Sequence, residues 1–292
     1  MMRRMGDPVG SVAALWRYPV KSMLGESVAS SEVGERGLAG DRAFGLIDVE
    51  LGKLATAKRP RLWGRLFEFR AEFEGPPGNG SPVVVTLPDG SRVRTEDPDA
   101  DARISAALGR EVRLATEAPT GLMFDEDWLG DIKGAPYGPV VDGEPGETVM
   151  ETLTGLGAPD GTFFDFAPVH VLTTATLRAL SDAHPDGAFE PARFRPNIVL
   201  DVGGTGFPEN EWSDRVIVVG DEVRLKGVIP VPRCVMTTLA QGDLPRDAGI
   251  LRAAADRNRV EVGPLGARPC AGVYMDVVQG GVIRTGDPVT IE

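Results

Sequence analysis

Cysteine and histidine are scarce in this chain, with two of each among 292 residues: Cys234, Cys270, His170 and His184. Four such residues, far apart in sequence, make neither a zinc-finger ligand set nor the four thiolates of an iron–sulfur cluster. They also lack the spacing of a disulfide-stapled secreted domain, so free thiols in a reducing compartment are expected. Long apolar runs are missing too. No segment approaches the ~20 residues of a membrane-spanning helix, and the start, "MMRRMGDPVGSVAALW", has no uninterrupted apolar core before a cleavage site. A cytoplasmic protein without a membrane partner is the expectation. A basic excess is absent as well: the formal charge is −12, with no stripe of Lys and Arg to follow a phosphate backbone. Nucleic acid is therefore not an expected partner.

What the chain has in quantity is turn chemistry. Thirty-seven glycines and twenty-four prolines fall between short apolar runs, which favours many strands joined by tight turns. "SVAALWRYPVKSM" reads as a strand ended at Pro19, leaving Lys21 and Ser22 on the loop beyond it. "GLAGDRAFGLIDVELG" delivers Arg42 on a glycine-rich loop ahead of a strand over 43–49. "PVVVTLPDGSRVRT" is a hairpin on Asp89-Gly90, and "DPDADARISAALG" an acid-capped helix stopped by Gly109. The stretch from about 118 to 161, rich in Gly, Pro and Asp, shows no sustained period and reads as an irregular connection or a lid. "DFAPVHVLTTATLRALSDA" is a buried strand entering a helix capped by a threonine, and "ARFRPNIVLDVG" a loop feeding a strand over 198–202. A hairpin at Gly220-Asp221, a helix over roughly 246–258 and a last hairpin in "AGVYMDVVQGGVIRTGDPVTIE" complete the pass. The fold class is α+β, dominated by β, with an antiparallel or mixed barrel and peripheral helices.

The chemistry gathers at strand ends. Lys21, Arg42, Arg195 and Arg233 each occupy such a loop in an acidic protein. Single basic residues are by default solvated surface charges; convergent ones form an anion pocket in which guanidinium forks grip phosphate and lysine adds a point charge. Ser22, Asn197 and the threonines after Val171 add neutral hydrogen bonds. Cys234, in "VIPVPRCVMTT", is by default a packing residue. Its neighbour Arg233 favours the thiolate, the form that acts as nucleophile or soft metal ligand. His170 and Cys270 are read as core residues.

Seven pieces recur in order along nearly the whole chain: "YPVKS" (18–22), "GLAGDR" (37–42), "LTTATL" (172–177), "FRPNIVLD" (194–201), "PRCVMTT" (232–238), "QGDLPRD" (241–247) and "GDPV" (286–289). As an ordered set they resemble the MOSC family with an N-terminal β-barrel domain, the group that includes the mitochondrial amidoxime-reducing component and its bacterial relatives. The resemblance implies a MOSC N-terminal β-barrel domain over 8–125 and a MOSC-type β-barrel over 126–292. It also implies a molybdenum cofactor (molybdopterin), with Cys234 as catalytic residue and protein ligand to the metal. By the same resemblance Lys21, Ser22, Arg42, Thr173, Thr174, Arg195, Asn197 and Arg233 contact the pterin and its phosphate. The implied reaction reduces N-hydroxylated small molecules (amidoximes, hydroxylamines, hydroxylated bases) with electrons from a separate flavin, haem or iron–sulfur protein. Two other readings use the same cysteine: a carrier of the cofactor or its sulfur, and a metal-free thiol nucleophile.

Overall fold

A computed structural model describes residues 7–78, 81–127, 131–132, 135–136, 148–152 and 159–292. Seven strands close into a barrel. Around the ring they run Val169–Thr173, Ile198–Asp201, Asp7–Arg17, Pro288–Ile291, Val216–Val219, Val223–Pro232 and Ala267–Gln279, and the last pairs back onto the first. Every neighbouring pair is antiparallel except Val169–Thr173 with Ile198–Asp201. That pair is parallel because the helix Thr174–Ala183 lies in the connection between its strands, the crossover a parallel pair needs.

Alternation fills the interior. Val169, Val171, Leu200, Ile217, Val219 and Leu225 are buried together while their neighbours along each strand turn outward or into the helical layer. At Gly227 a Cβ would lie 1.9 Å from the Trp212 carbonyl oxygen, so the long strand passes the 3₁₀ turn Pro208–Trp212 at a separation no side chain allows.

Between the first barrel strand and residue 127 the chain builds a second unit. Gly45–Asp48 pairs with Val112–Ala115, and Arg70–Phe73, Val83–Thr86 and Arg92–Arg94 form a meander, over a core that includes Trp63, Leu66, Phe69 and Ile104. A small cluster of Ala57, Phe67, Val235 and Leu239 bridges the two units at the segment that follows Cys234. The strand Asp7–Arg17 belongs to the barrel, so the N-terminal stretch serves both units. The 125/126 junction expected from sequence falls inside the strand Met123–Asp127.

Three local expectations differ from the structure. The helix Ala100–Leu108 ends at Gly109 in the left-handed conformation, φ 74°, as expected, but Asp99 makes no side-chain cap. Asp101 instead accepts from the Leu114 N–H at 2.8 Å, tying the helix to the next strand. The closing hairpin is not one: Gly281–Arg284 pairs with Ser30–Gly34, and Pro288–Ile291 pairs with Asp7–Arg17 and Val216–Val219. Local turn signals do not reveal such distant partners. Within 118–161, Met123–Asp127 pairs with Thr148–Thr152, so that stretch carries sheet where aperiodicity suggested none. The lid reading falls largely on residues outside those described.

Candidate functional site

Backbone strain marks the site before any side chain is considered. Four non-glycine residues among those described hold a positive φ: Ser22 (66°), Arg42 (47°), Arg195 (55°) and Asp214 (61°). Each costs of order 1 kcal/mol or more and concentrates where the surrounding structure needs that geometry. Three of the four are residues singled out from sequence.

The loops carrying them are zipped together. Lys21 N–H donates to Phe44 O and Phe44 N–H to Pro19 O, both at 2.9 Å, while Arg42 N–H donates to Tyr18 O at 2.9 Å. Arg195 caps the short helix Pro191–Phe194, its N–H donating to Pro191 O at 3.0 Å. Its guanidinium donates to Met23 O at 2.7 Å and lies 4.2 Å from the Tyr18 ring centre, with Arg42 at 4.8 Å from the same ring. Arg233 donates to Phe194 O at 2.7 Å. Arg42, Arg195 and Arg233 thus converge, through Tyr18 and the 194–195 backbone. A hollow of about 570 Å³, lined in part by Asp41, Arg42, Thr162 and Phe164, gives access beside Arg42.

Lys21 extends the cluster. Its ammonium donates to Phe163 O at 2.6 Å and to Asp165 at 2.9 Å, and Lys58 approaches the same carboxylate at 3.4 Å. Burial pulls Lys21 down to about 8, against the opposing pull of Asp165. Burial followed by the Arg42 charge lowers Arg195 to about 10. For Arg42 burial acts in the same sense, but Asp41, ion-paired to it, outweighs it and leaves the group raised. Burial would raise Asp165, which keeps about a third of its side chain exposed, yet Lys21 and Lys58 hold it well below the usual carboxylate range. Five cations, Lys21, Arg42, Lys58, Arg195 and Arg233, face Asp41, Asp165 and Glu126. The balance is positive inside a protein that is negative overall.

Cys234 sits half-buried at the start of the 3₁₀ turn Val235–Thr238, and both cysteines are free. Arg233 favours the thiolate, as expected, but its effect is small. Burial, reinforced by Glu126, pushes the thiol up to about 11, and the opposing effects of Lys58, the Met236 N–H and Arg233 are smaller. A metal deprotonates a coordinating thiol outright, which would reverse the effect of burial. Arg193, fully buried, frames this turn by donating to four carbonyls: Ala188 at 2.8, Thr237 at 3.4, Leu239 at 3.1 and Pro245 at 2.7 Å.

Other expected contacts are spent on the fold. Ser22 Oγ accepts from Ala57 N–H at 3.1 Å, which sets the loop that carries Lys58. Asn197 accepts from His170 N–H at 3.0 Å and lies across the barrel seam. Thr173 caps the helix Thr174–Ala183, accepting from Thr176 N–H at 3.1 Å and donating to buried Glu209 at 2.7 Å. Thr174 donates to Asp201 at 2.9 Å. Neither threonine shares a hydrogen-bond partner with the cation cluster. His170, read as core, is buried, with Nδ1 3.3 Å from Arg195 O, and burial holds it neutral. Cys270 is fully buried in the barrel wall. Sequence reasoning missed Tyr18, Lys58 and Asp165; Tyr18 lies inside the quoted "YPVKS", but its position between two arginines exists only after folding.

The donors fit an anionic, phosphate-bearing group. Tyr18 Oη and Arg233 Nε are buried and have no hydrogen-bond partner among the described residues, and guanidinium groups offer donors only. A soft thiol stands next to Arg233 in sequence, which suits a metal carried by such a group.

Comparison with known proteins agrees with this architecture. The MOSC domain profile matches residues 158–290 and the MOSC N-terminal beta barrel domain profile residues 9–129. The chain belongs to the MOSC-domain proteins with an N-terminal MOSC β-barrel domain. Among its curated relatives are mitochondrial amidoxime reducing component 2 of Rattus norvegicus, 26% identical over 98% of this chain and 85% of the relative, and mitochondrial amidoxime-reducing component 1 of Homo sapiens, 28% identical over 98% and 84%. The crystal structure of the YUAD protein from Bacillus subtilis aligns over 97% of this chain and 95% of that one, at 11% identity and a TM-score of 0.44, too distant to carry an argument. Among the described residues no helix is long and apolar enough to cross a membrane.

Proposed function

We propose that this chain is a molybdenum-cofactor oxidoreductase that reduces N-hydroxylated compounds, R–NHOH + 2e⁻ + 2H⁺ → R–NH₂ + H₂O. The observation that carries the reading is the strained, converging set of cations, with Arg42 and Arg195 at positive φ around Tyr18, next to a chain segment that presents a thiol. The names of the relatives supply the reaction class.

On this reading Arg42, Arg195, Arg233 and Lys21 hold the cofactor's phosphate and pterin, and Cys234 is the metal ligand. Ser22 acts through the 55–58 loop, and Asn197, Thr173 and Thr174 keep the barrel seam and helix cap that set the pocket wall. The bound cofactor supplies the two-electron exchange with the substrate's oxygen. The protein contributes binding, orientation and electrostatics. Lys58 and Glu126 act on the Cys234 thiol together with Arg233 and set the charge around the metal ligand. Electrons come from a separate flavin, haem or iron–sulfur protein. We place the two units at 8–125 and 126–292, apart from the shared first strand, and the protein in a reducing compartment such as the cytoplasm, with neither nucleic acid nor membrane as partner.

Burial disfavours the Cys234 thiolate on which a metal-free nucleophile or a sulfur carrier would act. The reading is tested by anaerobic reduction of benzamidoxime with dye-reduced protein from a cofactor-competent host. Stoichiometric benzamidine is expected; its absence from molybdenum-replete protein would favour a cofactor carrier.

A further inference from the structure

Tyr18 is the least explained group in the site. It is 2% exposed, and its hydroxyl has no hydrogen-bond partner among the described residues. Its backbone is fully engaged: the N–H donates to Asp41 Oδ1 at 2.8 Å and the carbonyl accepts from Arg42. Its ring is a platform for two guanidiniums, Arg195 at 4.2 Å and Arg42 at 4.8 Å, so its conformation is held without help from the hydroxyl. A buried phenol normally finds a partner, because an orphaned hydroxyl forfeits its hydrogen bond to water.

The surroundings say what kind of partner is missing. Arg42 and Arg195 offer N–H groups and no acceptor. Asp41 is the neighbouring carboxylate, but one oxygen takes the Tyr18 N–H and the other takes Arg42. Arg233, whose charge also reaches the phenol, has its Nε buried and unpartnered. The phenol O–H and the guanidiniums of Arg42 and Arg195 stacked on its ring gather donors around Tyr18. The complement is a compact anion with several acceptor oxygens, as a phosphate monoester has.

We infer that Tyr18 is a direct ligand contact, its hydroxyl donating to an oxygen of the anion that Arg42, Arg195 and Arg233 hold. The contact rests on the cofactor reading only in naming the phosphate's source; the donor set calls for a phosphate oxygen whichever molecule brings it.

Tyr18→Phe removes the hydroxyl and keeps the ring platform. Full-length wild type and variant are made in a host unable to synthesise the cofactor and titrated with inorganic phosphate by calorimetry and thermal unfolding. Without phosphate the variant is expected to be as stable as wild type or slightly more so, since it loses an orphaned buried hydroxyl. Its phosphate affinity is expected to fall on the order of tenfold to a hundredfold, the range for a hydrogen bond to a charged group. Equal affinities, or no phosphate binding by wild type, would overturn the contact. Molybdenum content of both proteins from a cofactor-competent host separates the two readings. Phosphate binding that depends on Tyr18 without molybdenum retention leaves the contact standing and removes the cofactor reading. Molybdenum retained equally, with equal phosphate affinities, does the reverse.

Discussion

Arg195→Ala separates a ligand-holding arginine from one that holds the fold. The side chain is 7% exposed, donates to Met23 O at 2.7 Å and lies 4.2 Å from the Tyr18 ring centre. Removing it forfeits ~1–3 kcal/mol for a buried carbonyl left without its charged donor and ~0.5–2 kcal/mol of cation–π attraction. It also frees the protein from holding a cation beside Arg42. The lowering of Arg195 from 12.5 to about 10 corresponds to an unfavourable ~3 kcal/mol. The opposing contributions are of similar size, so the anion-free variant is expected to lie within ~1 kcal/mol of wild type, a Tm difference of roughly 2–4 °C. With an anion bound the balance changes, because a charge-assisted contact worth ~1.5–3 kcal/mol is lost and affinity falls by roughly tenfold or more. The assay is thermal unfolding over a series of inorganic phosphate concentrations. A rise in Tm with phosphate for wild type and a much smaller rise for the variant is the expected pattern. A Tm lowered by more than about 10 °C without phosphate, with an undiminished phosphate response, would refute the reasoning and make Arg195 structural.

Arg193→Met should behave in the opposite way: four carbonyls lose a fully buried donor, so a loss of ~3–5 kcal/mol is expected, read as a Tm drop of roughly 10 °C with or without phosphate. Lys21 gives a pH signature. Its folded value of about 8 lies below the ordinary 10.5, so the unfolded chain binds the extra proton between those values, and anion-free stability should rise with pH across that window by up to ~3 kcal/mol. Phosphate affinity should fall over the same window as the ammonium is lost; Lys21→Met should flatten both trends, and a wild-type stability that declines from pH 8 to 10 with no difference in Lys21→Met would contradict the assignment.

Much of the site was legible because its anchors are local. Pro19 ends a strand and places Lys21 past it, and the Gly-rich approach to Arg42 is set by neighbouring residues, whereas the short helix Pro191–Phe194 before Arg195 stands where sequence suggested a loop. The strand entering the Thr173-capped helix was readable for the same reason. What sequence did not reveal depends on closure over long separations. The first strand pairs with Ile198–Asp201 and Pro288–Ile291, and no turn signal near residue 12 names partners so far along the chain. Tyr18 becomes a platform only when residues 42 and 195 meet over it, and Asp165 becomes a counter-charge only when it meets Lys21 and Lys58. Arg233 acts on Cys234 in the direction the sequence suggests, but the burial that outweighs it becomes visible only in the fold.

The most direct test of the account is molybdenum stoichiometry in protein purified from a cofactor-competent host, measured for wild type and Cys234→Ser. The account predicts close to one molybdenum per wild-type chain and a large loss in the variant, with the two proteins unfolding at similar temperatures when both are made in a host unable to synthesise the cofactor. Wild-type protein without molybdenum, or a variant that keeps the wild-type content, would contradict it.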